Sequence, residues 1–400
     1  MLARGKLEVE GSVNLQLKMH ITFSKAPNTI FVKISFNNSI INDDSLKLKL
    51  TDVSGALYFD GKHLGSDTMH GKLFDTPIDF TMNILPQAEH EKLILISLSS
   101  QVDGNFIYRQ MLNISPEFEN WQHIYKHLSG SMLLQGNVRV WKTNRPETSH
   151  TDISLHTDMQ GMTLDFPQPL SKTETQLLPL RIHALIPKQG DTVVQLSFDK
   201  TVSTTLSFAK GLARGNIVLG TDTPVDLPDS AVLHLSGHTP LLAWRDWQKT
   251  LFGDQVIIHK NEDDKFPVPF LIDVKTDHLD VFGQLFNNVS LKAKLIDEIW
   301  YVLLQGEGID GNILFDKTQK KPIANLVFKN LIIPPQEEEK TEKPEIEEPK
   351  DTTDPRELPI FTFHADNFQL GKILLGNVNL YTSPTPDGIF IELLEQKITV

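Results

Sequence analysis

Three constellations in this 400-residue sequence have residue types that could do chemistry. Gly306-Glu307-Gly308-Ile309-Asp310-Gly311 matches the glycine spacing of a dinucleotide-binding turn. That chemistry needs a strand before the turn and a helix after it, so that a pyrophosphate can sit on the helix N-terminus. Here Asn312-Ile313-Leu314-Phe315 follows, which is strand pattern, and a hairpin turn is the simpler reading. Glu119, His123 and His127 recur every four residues and would share one face of a helix. Two histidines and a carboxylate can ligate zinc, but no HExxH arrangement and no further ligand cluster accompanies them. Asp43-Asp44 and Asp263-Asp264 lie in polar, turn-like surroundings, as solvated loop acids do. No G-x-S-x-G elbow, phosphate-binding loop or paired-acid context occurs. No catalytic residue, metal ligand or cofactor-binding residue is assigned, and no cofactor is expected.

Composition narrows the field further. There are no cysteines, which removes disulfides, thiolate metal sites and cysteine nucleophiles. Net charge is −13, of which residues 334–359 contribute ten acids against four bases. No basic stripe remains for nucleic acid. No stretch reaches the roughly 18 apolar residues that span a bilayer. Met1-Leu2-Ala3-Arg4-Gly5-Lys6 runs straight into strand pattern without a signal-peptide core, so the chain reads as a piece of something longer.

The elements that would position any site are overwhelmingly strands. From Leu7 to Phe23 every odd position except Gly11 is apolar: Leu7, Val9, Val13, Leu15, Leu17, Met19, Ile21 and Phe23. Every even position is polar. This is the period of a sheet with one dry and one wet face, in one very tall strand or in two turning near Gly11. Alternation recurs at Ile30–Phe36, Leu46–Leu50, Ile78–Ile84, Val194–Phe198, Val202–Phe208, Phe270–Val274 and Leu291–Leu295. Asp60-Gly61, Asp103-Gly104, Asp310-Gly311 and Asp387-Gly388 read as hairpin turns, and an antiparallel meander joins the strands most economically. Two helices are predicted, from Ser115-Pro116 to Leu128 and from Thr239-Pro240 to Phe252, each opened by a hydroxyl cap and a proline. Their apolar faces carry Phe118, Trp121, Ile124, Tyr125 and Leu128, and Leu241, Trp244, Trp247, Leu251 and Phe252. Two such helices cannot cover some twenty strands.

Residues 334–359 are rich in Pro, Glu, Lys and Thr and read as a disordered acidic linker. The expected organisation is therefore a repetitive β region over 1–333, the linker, and a further β repeat over 360–400. A gapless repeat flanks the linker: Asp277–Leu291 aligns on Asp366–Leu380, sharing Asp277/Asp366, Leu285/Leu374, Asn288/Asn377, Val289/Val378 and Leu291/Leu380.

Several phrases resemble the C-terminal portion of YhdP-type proteins of the AsmA-like superfamily, envelope proteins of Gram-negative bacteria. They are Leu128-Ser129-Gly130-Ser131; the string from Gln160-Gly161 through Leu164-Asp165-Phe166-Pro167 to Leu170-Ser171-Lys172; Leu233-His234-Leu235-Ser236-Gly237 leading to Trp244 and Trp247; and the repeated units, with Trp300 closing the first. The resemblance implies an all-β fold, a long twisted antiparallel sheet curled into an elongated hydrophobic groove with two short capping helices. It also implies a non-enzymatic role in carrying phospholipid across the periplasm between inner and outer membranes. Attachment to the inner membrane would run through a region absent from this chain, with other envelope proteins as further partners.

Physics converges on the same expectation. A one-sided sheet of this size leaves apolar surface on the order of thousands of Å², whereas monomers rarely expose patches beyond a few hundred Å². Acyl chains would satisfy that face at about 0.8 kcal/mol per buried CH₂. The candidate lipid-contact residues are the in-phase apolar positions Val13, Leu15, Leu17, Met19, Ile21, Ile30, Val32, Ile34, Val202, Leu206, Phe270, Ile272, Val289 and Leu291. The competing reading is a structural or adhesive β-sandwich whose apolar faces pack on each other, with no lipid.

Overall fold

The computed structural model describes residues 7–23, 29–43, 48–86, 91–114, 119, 122–143, 145–209, 211–252, 268–281, 283–319, 321–334, 360–385 and 388–397. The fold is all-β, and its residues fall into two compact units. Unit 1 comprises 1–165, 172–212 and 222–224; unit 2 comprises 166–171, 213–221 and 225–400.

Unit 1 holds β1 (Leu7–His20), β2 (Thr29–Asp43), β3 (Leu48–Phe59), β4 (Leu64–Ser66), β5 (Met69–Leu73), β6 (Thr76–Pro86), β7 (Lys92–Asp103), β8 (Leu128–Lys142), β9 (His150–Thr157), β10 (Met162–Leu164), β11 (Leu180–Pro187), β12 (Thr192–Phe198) and β13 (Val202–Phe208). Nearly every strand pairs antiparallel with its sequence neighbour, the meander expected of a chain punctuated by turn residues. The opening alternation is one tall strand, with a bulge beside Gly11 where β2 carries the extra residue. Ser39 donates its hydroxyl across that bulge to the Ser12 carbonyl at 3.2 Å.

Two helices belong to this unit, α1 (Gly104–Ile114) and α2 (Gln122–Tyr125). Their placement corrects the predicted helix over 115–128. Asp103-Gly104 is a helix start rather than a turn, because the Asp103 carboxylate accepts the Phe106 N–H at 2.8 Å as an N-cap. Arg109 then ties α1 to the β5–β6 turn through the Phe74 carbonyl and the Asp75 carboxylate, at 2.9 and 3.1 Å. Of the predicted helical face, Ile124 and Tyr125 lie in α2, Leu128 opens β8, and Phe118 and Trp121 fall outside the described residues.

Unit 2 holds β14 (Leu212–Leu219), β15 (Leu233–Ala243), α3 (Trp244–Phe252), β16 (Phe270–Val281), β17 (Gln284–Ile296), β18 (Ile299–Glu307), β19 (Ile309–Asp316), β20 (Ile323–Ile333), β21 (Ile360–Leu370), β22 (Ile373–Thr385) and β23 (Gly388–Lys397). Here the wholly antiparallel expectation is corrected: β14–β15, β15–β16 and β20–β21 pair parallel. A parallel pair needs a crossover of a dozen residues or more, so it appears where the chain has a long excursion to spend. Residues 220–232, 244–269 and 334–359 are those excursions, 13, 26 and 26 residues long. The acidic segment therefore occupies the topological place that α3 opens in the first copy. The repeat seen at 277–291 and 366–380 extends to β15–β18 and β20–β23.

Thr239-Pro240 also proves to be strand, and α3 begins at Trp244. Pairing of β15 with β14 has ended by Gly237, and Pro240 has no partner on β16. A residue without an N–H is tolerated there. Asp310-Gly311 lies inside β19, at a bulge against β20, rather than at a turn. The dinucleotide-like string spans the end of β18 and the start of β19, a β-hairpin turning at Glu307-Gly308 with no helix after it.

Candidate functional site

Directly opposed residues in a sheet point to the same side, so the strand registers assign every side chain to a face. In unit 1, Val13, Leu15, Leu17 and Met19 oppose Phe36, Ile34, Val32 and Ile30. Val32 and Ile34 oppose Phe59 and Leu57 of β3. Leu50 opposes Leu73 on β5, and Gly71 opposes Ile78 on β6. From β6 onward one straight row crosses the unit: Met82, Ile96, Val138, Ile153, Ala184, Val194 and Leu206. Val202 closes a parallel row opposite Phe198. Nine of the candidate positions, from Val13 to Leu206, thus lie on one face. Ile21 does not, because β1 ends at His20.

The opposite face of the same strands is polar, and wet except at β13, where Ser203, Thr205 and Ser207 are 1–3% exposed. Across it run Gln16 and Lys33, His70 and Asp79, Ser97 and Asn137, Arg139 and Asp152, and Gln195 and Thr205. His70 meets Asp79 at 2.7 Å, His183 meets Asp152 at 3.2 Å, and Ser97 donates to Asn137 at 2.8 Å. Lys72 pairs with Asp52 at 2.8 Å, and that bond holds its ammonium above the ordinary lysine value.

Burial on the apolar face is graded. Leu50, Val53, Met69 and Ile78 form a dry cluster with Phe36, Leu57, Phe80 and Leu98 packed on it. Along the straight row, Ile96, Val138, Ile153, Val194 and Leu206 are only half-buried. On β1 the cover is gone: Val13, Leu15, Leu17 and Met19 are 45–64% exposed. A core residue between two layers would be buried throughout, so this face is lined by its own neighbours and open above.

Unit 2 repeats the pattern. Phe270, Ile272 and Val274 oppose Leu295, Ala293 and Leu291, and Thr276 opposes Val289, which places Phe270, Ile272, Val289 and Leu291 on one face. The face continues through Leu304, Gly311, Phe328 and Ala365. Leu279, Phe286, Val289 and Phe328 are buried in its central cluster, whereas Phe270, Ile272 and Leu291 are half-buried.

The two ends of the most specific sequence phrase, residues 160–165 and Lys172, form a knot in unit 1. β10 pairs with the start of β8, so Met162, Thr163 and Leu164 oppose Gly130, Ser129 and Leu128. Two phrases distant in sequence are thus hydrogen-bonded neighbours. Met162 is fully buried, and Lys172 is 3% exposed with its ammonium donating to the Met162 and Thr173 carbonyls. Burial holds the Lys172 ammonium below the ordinary lysine value. Periodicity could not have found this buried lysine, since the run around it has no period.

Among the described residues, no three His, Cys, Asp or Glu side chains converge to hold a metal ion. His127 approaches Asp165 at 3.8 Å, and the His123 side chain lies outside those described. Asp44 and Asp263 lie outside the described residues. Among the described residues, no helix is long and apolar enough to cross a membrane. Tyr125 packs on Tyr108 at 4.8 Å between ring centres, and burial pushes its phenol up to about 12, too high for acid–base work near neutrality.

Comparison with known proteins agrees with this geometry. The family model described as YhdP protein matches residues 4–399. No curated protein and no solved structure matches the chain. A continuous apolar face in each unit, and a family match running almost from end to end, give the conclusion that the chain belongs to the YhdP family, an envelope-associated, AsmA-like family of the lipid-transport type.

Proposed function

We propose that the apolar face holds phospholipid acyl chains, as a non-enzymatic segment of a protein that moves phospholipid through the periplasm between inner and outer membranes. The observation that carries this reading is the uncovered row on β1 and β2, where Val13, Leu15, Leu17, Met19 and Ile30 share the face of the inner cluster yet stay exposed. Exposed apolar side chains in an unbroken row need a covering, and each acyl CH₂ buried there contributes about 0.8 kcal/mol. Headgroups remain in water, and a lining of interchangeable aliphatic side chains gives no preferred stop along the face. Such a path needs no catalytic residue. Leu206, Phe270, Ile272 and Leu291 continue the lining within their own units; Val202 and Val289 share that face but are buried within it, and Ile21 belongs to the margin beyond β1.

The test is Leu17→Asp combined with Ile34→Asp, neighbours on the same face. Organic extraction and mass spectrometry of the folded variant should recover several-fold less phospholipid than from the unsubstituted protein, with transfer between vesicles falling in parallel. Undiminished lipid content and transfer in a folded variant would refute the assignment. A β-sandwich with no ligand predicts that neither protein yields lipid.

A further inference from the structure

Three connections, 220–232, 244–269 and 334–359, each join one strand to a parallel neighbour. A parallel neighbour begins where its predecessor began, so each connection must return the length of a strand. For the last, Ile323 is level with Ile360 and Ile333 with Leu370. The return spans about ten residues of strand, roughly 33 Å, and has to run across one face of the sheet or the other.

The first connection takes the polar face. Asn216 is level with His234 and Leu271, whereas Gly215 is level with Leu233 and Phe270, the row of the apolar face. Arg214 shares the side of Asn216 by strand parity. Asn216 donates its amide to the Asp226 carbonyl at 3.2 Å, and Arg214 donates to the Pro228 carbonyl at 3.0 Å. Residues 226–228 therefore lie over the side of β14 that faces away from the Phe270 row.

Strand direction links the three connections. β14, β15 and β16 run parallel, four antiparallel pairings from β16 to β20 restore that direction, and β21 runs parallel to β20. Each of these strands pairs with its successor, so all three connections step the same way across the sheet from strands that point the same way. Connections of one hand must then share one face. Such crossovers are right-handed in about 98% of cases.

We propose that the acidic segment 334–359 docks on the polar face of unit 2, along β20 and β21 over Asn325, Val327, Asn330, Thr362 and Asn367, and leaves the apolar face uncrossed. Handedness carries the inference, which stands whether or not that apolar face holds lipid. Chemistry selects the same side. Ten of the residues 334–359 are acidic, and Ile346 and Leu358 are their only large aliphatics. Carboxylates laid on Leu326, Phe363 and Phe368 would lose water without gaining partners. The polar side presents amides and hydroxyls instead. Thr362 donates to Asn325 at 2.7 Å and Asn367 donates to Asn330 at 2.7 Å, with Val327 41% exposed between these two rows.

The absence of cysteine makes the test clean, because every introduced thiol is unique. Glu347→Cys marks the middle of the segment. It is combined in the full chain with Asn325→Cys or Val327→Cys on the polar face, or with Leu326→Cys on the apolar face. Asn325 and Leu326 are both half-buried, so that pair compares the two faces at similar accessibility. Intramolecular cross-linking by a short bis-maleimide, normalised to each thiol's own labelling rate, should be several-fold greater at 325 and 327 than at 326. The same order should hold after organic extraction of bound lipid. Equal yields at the three positions, or a preference for 326, overturn the proposal. So does a shift toward 326 on extraction, which would make the segment a competitor of lipid for the apolar face. Cross-links formed only between copies overturn it as well. A polar-face preference in a protein that yields no lipid would refute the lipid-holding reading and leave the path of the segment standing.

Discussion

The Lys172 ammonium donates to the Met162 carbonyl at 2.7 Å from a side chain that is almost wholly buried. Desolvation disfavours its charged form, and the carboxylates of Asp158 and Glu174 offset that only in part. The folded state therefore binds this proton less tightly than the unfolded chain does. Stability must then rise with pH through the window below the ordinary lysine value of 10.5. Chemical denaturation from pH 8 to 10.5 should show the unsubstituted protein gaining stability relative to Lys172→Met across that interval. At neutral pH the same variant should be less stable, by about 1–3 kcal/mol, because the Met162 and Thr173 carbonyls lose their partner.

The same knot sets a steric limit at Gly130. Its φ is 82°, and a Cβ there would lie 2.1 Å from the Gly161 carbonyl oxygen, which already accepts the Ser131 N–H at 3.0 Å. Backbone on both sides leaves no flexible group to yield. Gly130→Ala should lower unfolding stability by about 2–4 kcal/mol, combining left-handed strain with forced separation of β8 from β10. Gly190 is the control: its φ is 111° but a Cβ would meet only the Pro187 ring at 3.7 Å, so Ala there should cost about 1 kcal/mol.

Strand parity makes a finer prediction about the apolar face. A photoreactive side chain placed in turn at residues 15 to 19 samples both sides of β1 with the same local mobility. Cross-linking to phospholipid should be several-fold stronger at Leu15, Leu17 and Met19 than at Gln16 and Lys18, which oppose Ile34, Val32, Ile30, Lys33 and Phe31 respectively. The contrast should recur far along the same unit, with Leu206 labelled and Thr205 not, because register carries the face unbroken from β1 to β13. Labelling without the period of two would mean lipid adheres to the sheet instead of lying along one side.

What could be read in the residues was the face, and what could not was the connection. Alternation from Leu7 to Met19 is a local property, and pairing with β2 then propagated it without any new information. Thr239-Pro240 and Asp103-Gly104 carry local signals that tertiary pairing overrode. The proline sits where β15 has run past β14, and the aspartate caps α1 in place of closing a hairpin. Phe106, Ile107, Met111 and Ile114 recur at helical spacing within α1, a signal masked by the turn-like dipeptide before it. Parallel pairing at β15–β16 and β20–β21 had no local signature either. Its trace was the matched length of the stretches after Ala243 and Ile333, legible only once both strands are placed. Leu285 and Leu374 behave likewise: they align in sequence, but their common end of the sheet is a consequence of register.

Trp247 offers a last measurement inside unit 2. Its indole N–H donates to the Gln168 carbonyl at 2.9 Å, joining α3 to a segment 79 residues earlier that carries the family's most specific phrase. The ring is half-buried and the bond partly wet, so its net contribution is at the lower end for a hydrogen bond. Trp247→Phe keeps an aromatic body and removes the donor. It should lower stability by about 0.5–1 kcal/mol, and amide exchange should accelerate in α3 without a change in β20 or β21. Faster exchange spreading through the whole unit would mean the bond holds the sheet itself. No change in α3 would mean the helix is fixed by its contact with β16 alone.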